Sequence, residues 1–194
     1  YVPNGGKDFP AKMRFLEALD AYATEFEAAE LPLVLCGDMN VARTDMDVHP
    51  KERRPRAVGQ LPEERALIER ILSRGLVDVH RQREPDNVDL FTWWAPWRNL
   101  KQRNIGWRLD YFFASHALAG RVVSCTVQRE FGTSDHGPVT AIFDNVRGEI
   151  TVVAPVWPGG DPRLAQAKLD AAVARLAGPL PVLAAGEATW PSAE

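Results

Sequence analysis

The sequence predicts an α/β domain, and three observations lead there. Helical periodicity alternates with short apolar runs between Pro10 and Val79. Strand-like runs then dominate from Leu109 to Phe143. Acidic residues and glycines stand where the apolar runs stop. The chain has 194 residues, 45% of them hydrophobic and 25% charged, enough for one domain with a real core and a small appendage. A net charge of −3 excludes nucleic-acid binding by bulk charge but leaves room for a local basic face.

Tyr1-Val2-Pro3-Asn4-Gly5-Gly6 reads as a strand end and a turn. A helix follows over Pro10–Ala29, with Asp8 as N-cap and Pro10 in the first turn. Phe15, Leu16, Leu19, Tyr22, Ala23 and Phe26 recur at helical spacing and form its buried face. Pro32 ends that pattern. Leu33–Cys36 is a continuous apolar run, as for a strand buried on both faces, and it stops at Gly37-Asp38-Met39-Asn40. Arg43 to Gln60 is polar and reads as a long surface loop, with Lys51 to Arg56 as a solvated basic run. A second helix opens at Pro62, turns Leu67, Ile68, Ile71 and Leu72 inward, and stops at Gly75. Leu76–Val79 is a short strand or a connector, and Leu109–Ala114, Arg121–Val127 and Val139–Phe143 read as strands.

After Asp144 the texture changes, and six of the fifteen prolines fall in this last stretch. It reads as a βαβ-like extension: a strand over Glu149–Ala154, a helix over Arg163–Leu176 and a strand over Leu180–Ala184. The division is therefore 1–144 and 145–194. The two cysteines, Cys36 and Cys125, lie in apolar strand-like runs and fit no zinc spacing, so both are expected as buried free thiols in a cytoplasmic protein. No stretch approaches the ~20 apolar residues of a membrane span. The chain starts at Tyr1, inside a motif, and is expected to be part of a longer protein.

Two groups of residues carry chemistry. Asp38, Asp110 and Asp135 stand at strand ends or beside glycine, where carboxylates suit hard-oxygen ligation of magnesium and proton transfer to water. Singly, each is an ordinary turn or capping residue. Asp110 lies among Leu109, Tyr111, Phe112 and Phe113, and a carboxylate there requires a partner. His136 is the natural one. The stretch Phe91–Arg108 holds four of the six tryptophans (Trp93, Trp94, Trp97, Trp107) with Arg98, Lys101, Arg103 and Arg108 and no acidic residue. Basic side chains interleaved with aromatics suit a phosphate backbone and its bases. Trp94 is balanced between core and function, and Trp107, beside Gly106 and Arg108, reads as functional.

Four motifs then combine in order: Tyr1-Val2-Pro3-Asn4-Gly5-Gly6, Gly37-Asp38-Met39-Asn40-Val41, Asn104-Ile105-Gly106-Trp107-Arg108-Leu109-Asp110-Tyr111 and Ser134-Asp135-His136-Gly137-Pro138-Val139. With them, residues 1–144 resemble the latter part of the exonuclease III and apurinic/apyrimidinic endonuclease family. The resemblance implies a four-layer sandwich of two mixed β-sheets flanked by helices. It implies a monomeric, Mg2+-dependent (or Mn2+-dependent) enzyme that cuts duplex DNA at abasic sites and removes nucleotides from 3′ ends. In matching positions, Tyr1 contacts the scissile phosphate, Asp38 orients or deprotonates the attacking water, and Asn40 contacts the phosphate and places Asp38. Asp110 orients His136, which offsets charge on the phosphate. Asp38, Asn40, Asp135 and His136 form the metal-facing set. Asn4, Lys7, Trp93, Asn104, Trp107 and Arg108 are the DNA-binding residues. Asp38 and His136 both stand as general base.

The family's N-terminal part, with its principal magnesium-binding Glu, does not occur in this chain, so the chain by itself is expected to be inactive or marginally folded. Two rivals remain. One is a phosphatase or phosphodiesterase of the wider superfamily acting on a non-DNA substrate. The other is a DNA-binding module without catalysis, which retention of Asp38, Asn40, Asp110, Asp135 and His136 disfavours.

Overall fold

The computed structural model describes residues 1–144. The elements expected over Glu149–Ala154, Arg163–Leu176 and Leu180–Ala184 lie outside the described residues. In chain order the elements are α1 (Phe9–Ala28), β1 (Val34–Asp38), α2 (Pro62–Leu72), β2 (Leu76–Asp78), α3 (Val79–Arg83), β3 (Asp110–Ser115), α4 (His116–Ala119), β4 (Val122–Val127) and β5 (Val139–Phe143).

Helix α1 starts where Asp8 Oδ1 accepts the N–H of Ala11 at 2.9 Å, one of the donors a helix N-terminus leaves without a partner. It ends through Glu30, whose φ of 53° lets the Leu31 N–H return to the Phe26 carbonyl. Helix α2 begins at Pro62, and Glu64 reaches back to the N–H groups of Gly59 and Leu61.

Two sheets form. In the first, β3 lies between β1 and β2 and is antiparallel to both. In the second, β4 pairs with β5, also antiparallel. Leu16, Leu19 and Ala23 of α1 and Leu67, Ile68, Ile71 and Leu72 of α2 cover one face of the first sheet, where they meet Leu76, Tyr111 and Phe113. Burying each of these larger apolar side chains contributes about 1.5–3 kcal/mol. The opposite face presents Val34, Val77, Phe112 and Ala114 to Val122, Cys125, Val139, Ala141 and Phe143 of the second sheet. The described residues thus stack helices, sheet and sheet.

Three layers of the expected sandwich are visible among the described residues, and every strand pairing among those residues is antiparallel, because β3 comes between β1 and β2 and runs against both. Three other expectations are corrected here. β1 is an edge strand and only partly buried. Cys36 is exposed, because it sits on that edge next to Gly37, while Cys125 is buried. The segment from Arg43 to Gln60 is not a plain surface loop. It forms two 3-10 turns, Asp45–Asp47 and Pro50–Glu52, and it buries Asp47, Val48 and Gln60. Lys51, Arg53, Arg54 and Arg56 remain on the surface, as expected.

Candidate active site

The register of β1 against β3 sets Asp38 directly across from Asp110. Two carboxylates that lie far apart in sequence therefore face the same spot. Asn40 follows in the left-handed region (φ 49°), which Asn tolerates better than most residues. Its main-chain N–H donates to Asp38 Oδ1 at 2.8 Å, and its side-chain NH2 donates to Asp38 Oδ2 at 2.9 Å and to the Val2 carbonyl at 2.8 Å. The Val2 N–H in turn donates to the Asp38 carbonyl. Asn40 thereby aims both oxygens of Asp38 and ties the first residues of the chain alongside, which leaves Tyr1 exposed at the rim.

His136 completes the cluster. Its Nδ1 lies 2.9 Å from Asp110 Oδ2, and its Nε2 lies 4.0 Å from Asp38 Oδ2. Thr92, fully buried, accepts the N–H groups of Leu109 and Asp110 on its Oγ at 2.9 and 3.0 Å, which sets the start of β3. Residues 92–94 are held from both sides. Trp93 and Trp107 exchange main-chain hydrogen bonds at 2.9 Å, the Trp94 N–H donates to the Asp135 carbonyl, and the Gly137 N–H donates to the Thr92 carbonyl. The Trp93 indole N–H donates to Asp135 Oδ2 at 2.9 Å, and the Trp93 and Trp107 rings meet edge to face, 5.7 Å apart. Gly106 allows this approach, because a Cβ there would lie 2.4 Å from the Trp93 carbonyl oxygen.

The electrostatics divide the roles. Burial pushes the Asp38 carboxyl up, and the facing charge of Asp110 pushes it further, to about 6. The Asn40 N–H and the charge of His136 offset part of this. Burial opposes charge on His136, but the hydrogen bond and charge of Asp110, with the charges of Asp38 and Asp135, outweigh it and raise its pKa. Asp38 therefore titrates near neutrality, and His136 holds its proton more firmly than a free imidazole.

Other expected residues distribute differently. Arg108 does not lie on the surface. It is fully buried, donating to Asp47 Oδ1 at 2.7 Å and to both oxygens of Asp78 at 2.8 and 2.7 Å, with its guanidinium over the Tyr111 ring. Its neighbour Trp107 is only half-buried, so Arg108 points inward. Asn104 uses both ends of its amide within the protein: it accepts from the Trp94 indole and donates to the Asp89 carbonyl. It lines a groove of about 410 Å3 with Leu90, Phe91, Trp94 and Phe131. Trp94 is a core residue. Trp107 packs on Ala42, Val48 and Leu109, and its indole N–H meets no acceptor among the described residues. Asn4 accepts the Gly6 N–H, and Lys7 is exposed on the same turn.

Asp38, Asn40, Asp135 and His136 do not gather as one metal cage. Among the described residues no group of three His, Cys, Asp or Glu side chains is placed to hold a metal ion. The donor chemistry nonetheless suits magnesium, which takes one or two carboxylates and keeps several waters or phosphate oxygens. Asp135 is exposed and its carboxylate is oriented by Trp93.

Residues that sequence reasoning missed are Thr92, Lys12, Glu64, Asp47 and Asp78, and it placed Lys101 on the basic–aromatic stretch without its partners. Lys12 was detectable as a charge four residues before Leu16, on the apolar stripe of α1. Lys101 hydrogen-bonds the carbonyls of Ser134 and His136, and nothing in the linear sequence indicates that.

Fold and site together define an α/β protein with a carboxylate–histidine cluster at the paired ends of two antiparallel strands. The chain belongs to the endonuclease/exonuclease/phosphatase family, whose model matches residues 2–136. It is 36% identical over 148 residues to an exodeoxyribonuclease of Bacillus subtilis, an alignment that covers 74% of this chain and 58% of that protein. It is 37% identical over 145 residues to the DNA repair nuclease APEX1 of Danio rerio, covering 72% of this chain and 46% of that protein. The chain thus spans about half the length of these relatives. Among solved structures it is similar to an AP endonuclease from Archaeoglobus fulgidus (TM-score 0.67, 33% identity, 74% of this chain and 59% of that one). It is equally similar in fold to the 3′ phosphatase NExo from Neisseria bound to a product DNA hairpin (TM-score 0.67, 30% identity, 74% and 59%).

Proposed function

We propose that this chain carries the phosphodiester-cleaving site of a DNA-repair nuclease that cuts duplex DNA at abasic sites and removes nucleotides from 3′ ends. The observation that carries it is the opposition of Asp38 and Asp110 across β1 and β3, with Asn40 aiming one carboxylate and His136 held by the other. The names of the relatives support the choice of DNA.

In this reading Asp38, titrating near 6, takes the proton of the attacking water. Asn40 keeps its oxygens in line. His136, whose hold on its proton Asp110 strengthens, faces the phosphate and offsets the negative charge that grows there. Tyr1 at the rim adds a donor to the same phosphate. Magnesium, or manganese in its place, is the proposed ion: Asp135 with water and phosphate oxygens would hold it, and it would supply positive charge at the reacting phosphate. Trp93, Trp107, Asn4 and Lys7 are proposed to border the DNA, joined by exposed Trp97, Arg98 and Arg103. Free thiols at Cys36 and Cys125 fit a reducing cytoplasm, and we propose a monomer there.

The test is a duplex oligonucleotide carrying one abasic analogue, incubated with magnesium or EDTA and with either this chain or the protein encoded by its whole gene. The whole protein is expected to nick the strand only with magnesium, and the isolated chain much more slowly. Binding without any cut would reject the catalytic reading. A second reading, removal of a 3′ phosphate, rests on the likeness to the Neisseria enzyme and is checked with a 3′-phosphorylated oligonucleotide.

A further inference from the structure

Lys12 is a charged residue in the middle of the apolar face of α1, and it is completely buried. A buried ammonium without partners would be untenable, so its partners show what it does. Its Nζ donates to the Asn40 carbonyl at 2.7 Å and to the Asn4 carbonyl at 3.3 Å, and it pairs with Glu64 Oε1 at 2.5 Å. Glu64 is equally buried, and its other oxygen accepts the N–H groups of Gly59 and Leu61 at 2.6 and 3.0 Å. The packing is close: a Cβ on Gly5 would lie 2.8 Å from Lys12 Cδ.

These contacts converge on Asn40 from three separate stretches. The residue stands in a left-handed conformation (φ 49°) that its own side chain does not enforce, since its amide is engaged with Asp38 and Val2. Its carbonyl is held by Lys12, and the Ala42 N–H two residues on bonds the carbonyl of Gly59, the residue whose N–H Glu64 accepts. The Asn4 carbonyl, held by the same ammonium, belongs to the turn that carries Tyr1 and Lys7.

We propose that Lys12 is a positioning residue for the cleavage reaction: its ammonium, neutralised by Glu64, clamps the Asn40 and Asn4 carbonyls and so fixes the Asn40 side chain on Asp38 and the Tyr1 segment beside it. This rests on the nuclease reading given above. Lys12 itself is sealed from solvent. Its loss should therefore lower the rate of the bound substrate and leave affinity alone, because small displacements of a general base cost much in rate.

The experiment compares Lys12→Met/Glu64→Gln with Glu64→Gln alone, in the protein encoded by the whole gene, so that no unpaired buried carboxylate confuses the result. The double variant should lose about tenfold or more in kcat on the abasic duplex with KM within about twofold. The side-chain amide of Asn40, followed by NMR on the substrate-free protein, should lose its protection from exchange only in the double variant. An Ile71→Val core variant with a similar fall in Tm should keep its kcat. An unchanged kcat in the double variant, or an equal kcat loss in the Ile71→Val control, overturns the proposal. If the parent protein cuts no DNA, the nuclease reading fails, and the clamp is decided by the Asn40 amide: retained protection in the double variant refutes it.

Discussion

Replacing Asp38 by asparagine should raise stability while abolishing activity. The Asp38 carboxyl ionises near 6 in the folded protein, against an ordinary value of 3.8. That gap of about two units corresponds to about 3 kcal/mol of destabilisation at neutral pH, at about 1.4 kcal/mol per unit. The amide introduced by Asp38→Asn can still accept the Asn40 N–H, but it cannot also accept the Asn40 side-chain NH2, a loss of about 1–2 kcal/mol. A net gain of about 1–2 kcal/mol remains, or a few degrees in Tm. The pH dependence follows from the sign of the shift. A carboxyl whose folded pKa is raised weakens the fold fully above about 6. The penalty fades as pH falls toward 3.8, where both states bind the proton. The advantage of Asp38→Asn should thus be largest above pH 6 and vanish near pH 4. Urea unfolding of both proteins at several pH values, in EDTA, measures it, and nicking of an abasic duplex measures the parallel loss of about 10²-fold or more. An asparagine variant less stable than the parent at pH 7.5, or a gap that does not change with pH, would refute the reasoning.

Three further outcomes follow from the same geometry. Asp110→Asn replaces the charged acceptor that raises the His136 pKa by a neutral amide and removes the charge that raises Asp38. Both groups should titrate lower, the pH optimum should move toward acid, and kcat should fall about 10²–10³-fold; an optimum that stays in place contradicts the assignment. Arg108→Leu leaves Asp47 and Asp78 buried with Arg81 and Arg43 as their remaining ion-pair partners. Unfolding should show a loss of about 3–5 kcal/mol. A variant that folds normally and only binds DNA less well would restore Arg108 to the DNA surface. Gly106→Ala drives a methyl into the Trp93 carbonyl and the Trp94 ring. Tryptophan fluorescence should report loosening of the Trp93–Trp107 contact together with a lower Tm, and unaltered spectra would exclude the clash.

Sequence and tertiary structure divided the determination of this protein along a physical line. Local rules were enough for the elements. Asp8 and Pro10 open α1, Pro62 opens α2, and apolar runs give the strands within a residue or two, because capping, helical periodicity and β-branched runs act over a few neighbours. Motif order was enough to locate Asp38, Asn40, Asp110 and His136 and the family to which they belong. Only the folded chain decided what those residues face. Asp38 lies opposite Asp110 because β1 and β3 pair in one register, and Trp93 is fixed between Trp107 and His136 by bridges between distant segments. The same holds for inward and outward. Arg108 and Trp107 are neighbours in a stretch that reads as one basic–aromatic surface, yet one is sealed against Asp47 and Asp78 and the other is half open. Charge content along the chain is a property of residues, whereas burial of a charge depends on partners that arrive from elsewhere in the sequence. Lys12, Glu64 and Thr92 could be recognised as parts of the site only once those partners were in place.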